Sequence, residues 1–231
     1  MQGEKVKEQD IITIDGPAGA GKSTISREVA RLLGYTYLDT GAMYRAVAWL
    51  VKNNGVPLDD SERICALCED IRIFIGNEHI KVNEMDVTSR IRTPQMDILA
   101  SAVSKLACVR DILSDLQRKI GAQGRIVAEG RDMGTVVFPQ AKYKFFLTAS
   151  TEERARRRKL QLGETGEAVQ FDEIFNQIKE RDKNDSERKI APLSMAKDAM
   201  LVDSSNLSID EVVKIILEHI KGASKNSFKI P

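Results

Sequence analysis

The chain has 231 residues, of which 42% are hydrophobic and 30% charged, and its formal net charge is +1. That length can bury a full core as one elaborated domain, and the balance gives no reason to expect long disorder. The near-neutral charge excludes a protein that wraps nucleic acid through a global basic excess, so an anionic ligand is expected to be small and locally held.

No apolar run is long enough to span a bilayer, and the N-terminal MQGEKVKEQ has no signal-like apolar stretch. A cytoplasmic protein with no membrane partner is expected. Cys65, Cys68 and Cys108 are too few, and too odd in number, for a disulfide framework. The Cys65-x-x-Cys68 pair lacks a second ligand pair, so it reads as two small apolar residues on one helical face rather than as a zinc site.

In chain order, a short polar arm precedes Ile11 to Ile14, a continuous apolar run that reads as a buried central strand. It enters Gly16-Pro17-Ala18-Gly19-Ala20-Gly21-Lys22-Ser23-Thr24, and a helix from about Lys22 to Leu33 stops at Gly34. Gly16-x-x-x-x-Gly21-Lys22-Ser23 fits the phosphate-binding P-loop. There, backbone N–H groups and a helix N-terminus surround the phosphates, the lysine reaches the β/γ oxygens, and Ser23 is the expected Mg²⁺ contact. The motif identifies a nucleoside triphosphate and leaves the acceptor open.

Tyr35 to Leu38 reads as a second strand ending at Asp39-Thr40-Gly41, with Thr40 as N-cap of a helix through Met43, Val47, Leu50 and Val51 that ends near Asn54-Gly55. Between about Glu69 and Pro94 the pattern changes. Ile71 to Ile75, a Gly76-Asn77 turn and His79 to Val82 alternate with period two and predict a hairpin, with a third short strand near Met85 to Val87. Helical stretches follow at Pro94 to Leu106 and Val109 to Ile120. Strands resume at Arg125 to Ala128, ending in Glu129-Gly-Arg131-Asp132-Met-Gly134, and at Lys142 to Leu147. A helix capped by Thr151 runs to about Leu162, and a polar link (GETGEAVQ) leads to a helix from Phe171 to Arg188. A fifth strand, Ala199 to Val202, a terminal helix, Ser208 to Ile220, and frayed residues from Gly222 complete the chain. This order predicts right-handed parallel α/β winding.

Ligands of such sheets bind beyond the carboxyl ends of the strands. Those ends carry the P-loop, then Asp39-Thr40 with Tyr44 and Arg45 one turn on, then Arg131 and Asp132, which are expected to face one crevice. Arg181, Asp185 and Arg188, at i, i+4 and i+7, share a helix face. That face is either an ion pair in solvent or a nucleotide contact. Arg154, Arg156, Arg157, Arg158 and Lys159 beside the polar link suit a lid closing on phosphates, with a nucleic-acid patch as the competing reading. On these residues alone, a kinase for a nucleoside monophosphate or a hydroxy acid stands beside a P-loop switch or ATPase. The absence of Asn-Lys-x-Asp and Asp-x-x-Gly counts against a GTPase.

Taken together, IDGPAGAGKST, LDTGAMYR, SRIRT, GRDMGTVVFP, ERARRR, IKERDKND, APL and VDSSNLS resemble the bacterial cytidylate kinases, the CMP/dCMP branch of the nucleoside monophosphate kinases, over nearly the whole length. The resemblance implies a single α/β domain, a five-stranded parallel sheet of P-loop type with helices on both faces and a small antiparallel β insertion. The core would occupy about 10–40, 122–150 and 171–221, the monophosphate-binding region about 40–121 with the insertion at about 69–93, and the lid about 151–172. It further implies a monomer that phosphorylates CMP and dCMP from ATP with Mg²⁺. Gly16 to Thr24 would bind ATP, with Asp203-Ser204-Ser205 nearby. Arg45, Arg131 and Arg188 would hold the CMP phosphate beside Thr40 and Tyr44. Ser101, Arg110 and Asp132 would read the cytosine edge, and Arg181 with Asp185 would contact the sugar. Lys22, Arg131 and Arg188, with the lid residues Arg157 and Arg158, would carry catalysis. Glu129 stands where the family usually has Asp, which leaves its hydrogen-bonding role open, and Thr40 stands where many members have Ser.

Overall fold

The computed structural model describes residues 11–76, 79–164 and 170–226, of which 164 and 223–226 are described by backbone alone. In chain order the elements are β1 (Ile11–Asp15), α1 (Lys22–Leu33), β2 (Thr36–Asp39), α2 (Thr40–Asn53), α3 (Ser61–Glu69), β3 (Ile73–Ile75), β4 (Ile80–Val82), β5 (Met85–Asp86) and α4 (Pro94–Val103). There follow α5 (Ala107–Gly121), β6 (Ile126–Gly130), a π-helical turn (Met133–Val137), β7 (Tyr143–Thr148), α6 (Thr151–Glu164), α7 (Phe171–Glu187), β8 (Met200–Asp203) and α8 (Ile209–Asn226). The chain groups into two compact units. One holds the residues up to Tyr37, Gly124–Glu187 and those from Ala191 onward; the other holds Leu38–Gln123 with Arg188–Ile190.

The first unit is built on a five-stranded parallel sheet of order β2-β6-β1-β7-β8, with the boundary between units falling inside β2. Every residue of β1 is buried, as a central strand covered on both faces requires. Ile12, Ile14, Val127, Phe145 and Leu147 meet Val29 and Ala30 of α1 and Val212, Val213 and Ile216 of α8 in one core. A smaller core of Ala155, Leu162, Ile174 and Ile178 joins α6 to α7. α8 starts with a capping box: Glu211 N–H donates to Ser208 Oγ at 3.3 Å, and Ser208 N–H donates to Glu211 Oε2 at 2.8 Å. Its helical backbone continues through residue 226, so the fraying expected from Gly222 does not begin there. The Ala-Ser-Lys-Asn sequence that follows Gly222 contains no residue that breaks a helix.

In the second unit, β3, β4 and β5 form an antiparallel meander, with Ile73 opposite Val82 and Val82 opposite Met85. α2 buries Met43, Val47, Leu50 and Val51, as their spacing predicts. Asp39, not Thr40, is its N-cap: the carboxylate accepts the Ala42 amide at 2.8 Å from extended backbone, which makes Thr40 the first helical residue. In the first unit the same one-residue shift occurs at α6, where Ser150 Oγ accepts the Glu153 amide at 3.2 Å and Thr151 lies inside the helix. α3, implied only by the helical face carrying Cys65 and Cys68 and given no bounds from sequence, is capped by Asp60, which accepts from Arg63 N–H at 3.1 Å.

The cysteines also depart from expectation. Cys65 on α3 is disulfide-bonded to Cys108 on α5, their Cα atoms 5.7 Å apart, and Cys68 is buried as a thiol. A bridge between residues 43 positions apart depends on how α3 meets α5, which local spacing does not encode. Asn77 of the predicted turn, most of the polar link after α6, and the terminal arm lie outside the described residues. Among the described residues no helix is long and apolar enough to cross a membrane.

Candidate functional site

In the first unit, the register of the sheet sets Asp15 beside Gly130, so the segments that follow β1 and β6 leave the sheet as neighbours. Gly16 opens the first of these segments at φ +150°. A Cβ there would stand 1.9 Å from the Leu147 carbonyl oxygen, so only glycine lets the loop start flush against β7. Gly21 is the N-cap of α1 and supplies no side-chain acceptor, and the first turn contains no acidic residue. The leading amides of α1 therefore offer themselves to an anion.

The loop's carbonyls are held from behind. Lys22 Nζ donates to Pro17 O at 2.7 Å and Arg154 Nη1 to Ala18 O at 3.0 Å, while the single Ser204 hydroxyl proton is shared between Thr148 O at 3.0 Å and Ala20 O at 3.3 Å. Lys22 is buried, and that burial, reinforced by Arg131 and opposed by Glu129, pushes its pKa down to about 7.

Arg131 donates from Nε to Asp185 Oδ2 at 2.7 Å. Burial works against the Arg131 charge, but the Asp185 carboxylate more than offsets it and holds its pKa above the ordinary value. The backbone carbonyl of Asp185 accepts from Leu193 N–H at 2.7 Å, which ties the Ala191-Pro-Leu193 segment to α7. Glu129 is buried and accepts a hydrogen bond from the Tyr37 hydroxyl. Asp15, only 4% exposed, has its carboxyl pushed up to about 6 by burial, against the two backbone amides it accepts.

The basic run divides. Arg154, expected among the lid cations, is 4% exposed and bound on every side: to Ala149 O at 3.0 Å, Ala18 O at 3.0 Å, Thr151 Oγ1 at 3.0 Å and Asp182 Oδ2 at 2.7 Å. It is a buried strut between the phosphate loop and α7, because its position in the first turn of α6 aims it inward. Arg157 lies between Glu153 and Ser204, donating to Ser204 O at 2.6 Å and Ser204 Oγ at 3.0 Å, which brings it to the Asp203-Ser204-Ser205 segment. Arg158 donates to Gln161 Oε1 at 3.0 Å.

The second unit gathers another set. Arg110, 3% exposed, donates to Ser104 O at 3.3 Å and lies with its guanidinium 5.5 Å from the centre of the Tyr44 ring. Ser104 Oγ in turn donates to Ser101 O at 2.8 Å, so Tyr44, Ser101 and Arg110 belong to one cluster. Arg45 reaches Asp39 at 3.3 Å and Asp97 at 3.7 Å, and Thr40 is buried at the start of α2. Arg188, directly after α7, groups with this unit. The sequence reading missed Asp15, Tyr37, Asp97 and Ser104 as neighbours of these residues. Of these, Asp15 alone carried a signal, a carboxylate closing an otherwise apolar strand.

A family model described as cytidylate kinase matches residues 12–222. The cytidylate kinase of Carboxydothermus hydrogenoformans is 54% identical over 213 residues, covering 90% of this chain and 96% of that protein. The cytidylate kinase of Caldanaerobacter subterraneus subsp. tengcongensis is 46% identical over 214 residues, covering 93% and 96%. Among solved structures, an uncharacterized protein from Eubacterium ventriosum matches with a TM-score of 0.54 at 13% identity, covering 92% of this chain and 99% of that one, a likeness of fold alone. The family match, which spans β1 to α8, takes in the phosphate loop, the Arg131 segment and the Tyr44–Arg110 cluster alike, and the chain belongs to the cytidylate kinase family.

Proposed function

We propose that this protein transfers the γ-phosphoryl group of ATP to CMP and dCMP, giving ADP with CDP or dCDP. The observation that carries the reading is the β1–β6 register, which starts the phosphate loop and the Arg131-Asp132 segment side by side within one unit. A donor cradle and an acceptor-binding arginine are thereby launched from adjacent strand ends, the arrangement in-line transfer needs.

In this reading the amides of Gly16 to Thr24 and the α1 N-terminus hold the ATP phosphates. Lys22 leaves Pro17 O for the β/γ oxygens, where its charge, with those of Arg131, Arg188, Arg157 and Arg158, neutralises the transferring group. Arg45 joins Arg131 and Arg188 on the acceptor phosphate, with Thr40 and Tyr44 beside them. Ser101, Arg110 and Asp132 read the base, and Arg181 and Asp185 the sugar. Discriminating cytosine from uracil requires an acceptor for the exocyclic amino group, and Asp132 supplies one.

Ser23 fits a Mg²⁺ contact: its hydroxyl is an exposed hard oxygen in the first turn of α1, and Mg²⁺ takes few protein oxygens beside phosphates and waters. The ion, when bound, neutralises charge across the β and γ phosphates. The protein is read as a cytoplasmic monomer acting on small molecules, not on nucleic acid.

A coupled assay of ADP release with CMP, dCMP, UMP and AMP tests the proposal. Turnover with CMP and dCMP well above that with UMP and AMP is expected. ATP turnover indifferent to any monophosphate, or a preference for AMP, overturns it.

A further inference from the structure

Asp15 ends β1. Its Oδ1 accepts the amide of Met133 at 2.8 Å, and its Oδ2 accepts the amide of Gly134 at 2.7 Å. These are the first two amides of the π-helical turn. The leading N–H groups of a helical turn find no partner inside it, and the residue just before ordinarily supplies the acceptor. Asp132 occupies that place, yet its side chain makes no capping hydrogen bond. The cap comes from the neighbouring strand instead.

The approach is tight, so that any side chain at 134 would push its neighbours back by a few tenths of an ångström. A Cβ on Gly134 would stand 3.0 Å from Thr13 Oγ1 and 3.3 Å from Asp15 Oδ2. The turn itself is closed by Phe138 N–H on Met133 O at 2.7 Å and Val137 N–H on Asp132 O at 3.2 Å. Such π turns are rare and concentrate at functional sites, and they persist where their surroundings over-determine them.

We infer that Asp15 is a positioning residue: by capping the turn from β1 it fixes the backbone of Arg131-Asp132, and through that backbone the contacts to the acceptor's phosphate and base. Both of its oxygens are given to the 133–134 amides, although the next residue, Gly16, begins the phosphate loop. Its hydrogen bonds therefore act on the acceptor side while only its charge is felt by Lys22, and base selectivity is partly set from the strand that leads to the donor. The inference rests on the reading of Asp132 as a base-edge residue and Arg131 as a phosphate contact.

Steady-state kinetics of Asp15→Asn and Asp132→Asn test it. Asparagine keeps the shape of Asp15 but turns an NH₂ group against one of the two amides, so one cap is lost. For Asp15→Asn the KM for CMP is expected to rise about tenfold, the KM for ATP to stay within about twofold, and the CMP-over-UMP ratio of kcat/KM to fall about tenfold. An equal rise in both KM values, or a lower Tm with unchanged KM and selectivity, overturns the inference. If Asp132→Asn changes base selectivity and Asp15→Asn does not, the inference fails alone. If Asp132→Asn leaves selectivity unchanged, the base-edge reading fails and takes the inference with it. Should Asp15→Asn not fold, amide hydrogen exchange on the wild-type protein decides: the Met133 and Gly134 amides are expected to be protected without ligand, and rapid exchange at both overturns the cap.

Discussion

Arg131 and Asp185 lie 54 positions apart in the chain and meet at 2.7 Å between Nε and Oδ2, one following β6 and the other on α7, with 18% and 7% of their side chains exposed. The pair orients the guanidinium, whose Nη1 also donates to Gly130 O at 3.4 Å. Removing one partner of a largely buried pair leaves the other charge uncompensated, so Asp185→Ala is expected to cost about 3 kcal/mol of stability. The Arg131→Ala/Asp185→Ala double variant is expected to recover part of that loss. A double-mutant cycle by urea unfolding measures the coupling, and strict additivity would show that the pair contributes nothing.

Lys22 is set to change charge near neutrality. With its pKa pushed down to about 7 by burial and by Arg131, the ligand-free protein loses this charge as pH rises through neutrality. A bound triphosphate favours the charged form and restores it. Hence kcat/KM for ATP, which reports the free enzyme, is expected to fall about tenfold per pH unit above about 7, while kcat stays level to higher pH. A profile of kcat/KM that is flat to pH 9 would count against this assignment.

Asp15 makes a separate prediction for stability. Burial raises its carboxyl from 3.8 to about 6 in the folded protein, so between those values the native state binds the proton and the unfolded chain does not. Stability from this group is then fully present below about pH 4 and declines as pH rises to about 6, by about 3 kcal/mol for a shift of about two units. Asparagine does not titrate. The difference in unfolding free energy between wild type and Asp15→Asn is therefore expected to move against the wild type across this window in urea titrations.

Arg154→Lys keeps a charge for Asp182 but loses the planar fork that spans Ala149 O, Ala18 O and Thr151 Oγ1. A loss of about 2 kcal/mol in stability is expected, with the KM for ATP rising more than the KM for CMP because Ala18 belongs to the phosphate loop. Had Arg154 been a mobile lid cation, the same variant would lower kcat and leave stability alone.

The cysteine bridge is checked by titration of thiols. Denatured without reductant, the chain is expected to show one reactive thiol, that of Cys68; three would remove the Cys65–Cys108 bridge. Closing a loop over a separation of 43 residues restricts the unfolded chain by up to about 4 kcal/mol, so Cys65→Ser is expected to lower the urea midpoint. Burial pushes the Cys68 thiol up to about 11, which makes it a poor nucleophile in the folded protein.

The parts of the fold legible in the sequence were those with a local cause. A continuous apolar run marked β1, and the glycines and Lys22 marked the phosphate loop, because strand burial and anion binding each act over a few consecutive residues. Capping positions slipped by one at Asp39 and Ser150, since adjacent oxygen-bearing residues compete and only the backbone conformation decides between them. The nine-residue α3 buries only Ile64 and Cys68, too little for a periodic stripe. Arg154 looked like its exposed neighbours, because a run of arginines does not say which one meets Asp182. The longer side chain of Glu129 found Tyr37, 92 positions away in sequence, through the sheet and not through any motif.

The fastenings of the phosphate loop bear on the energetics of binding. Ala18 has its carbonyl oxygen secured by Arg154, and Ala20 shares the Ser204 hydroxyl with Thr148 O, so electronegative atoms that would repel a polyphosphate are already turned away before it arrives. Pro17 O is held by Lys22, the residue that leaves it on binding. In the proposed reaction the donor thus enters a preorganised cradle, and the reorganisation asked there is the move of the Lys22 ammonium from Pro17 O to a phosphate oxygen. Little of the attraction for ATP is then consumed in shaping the loop, which leaves it for orienting the γ-phosphoryl group.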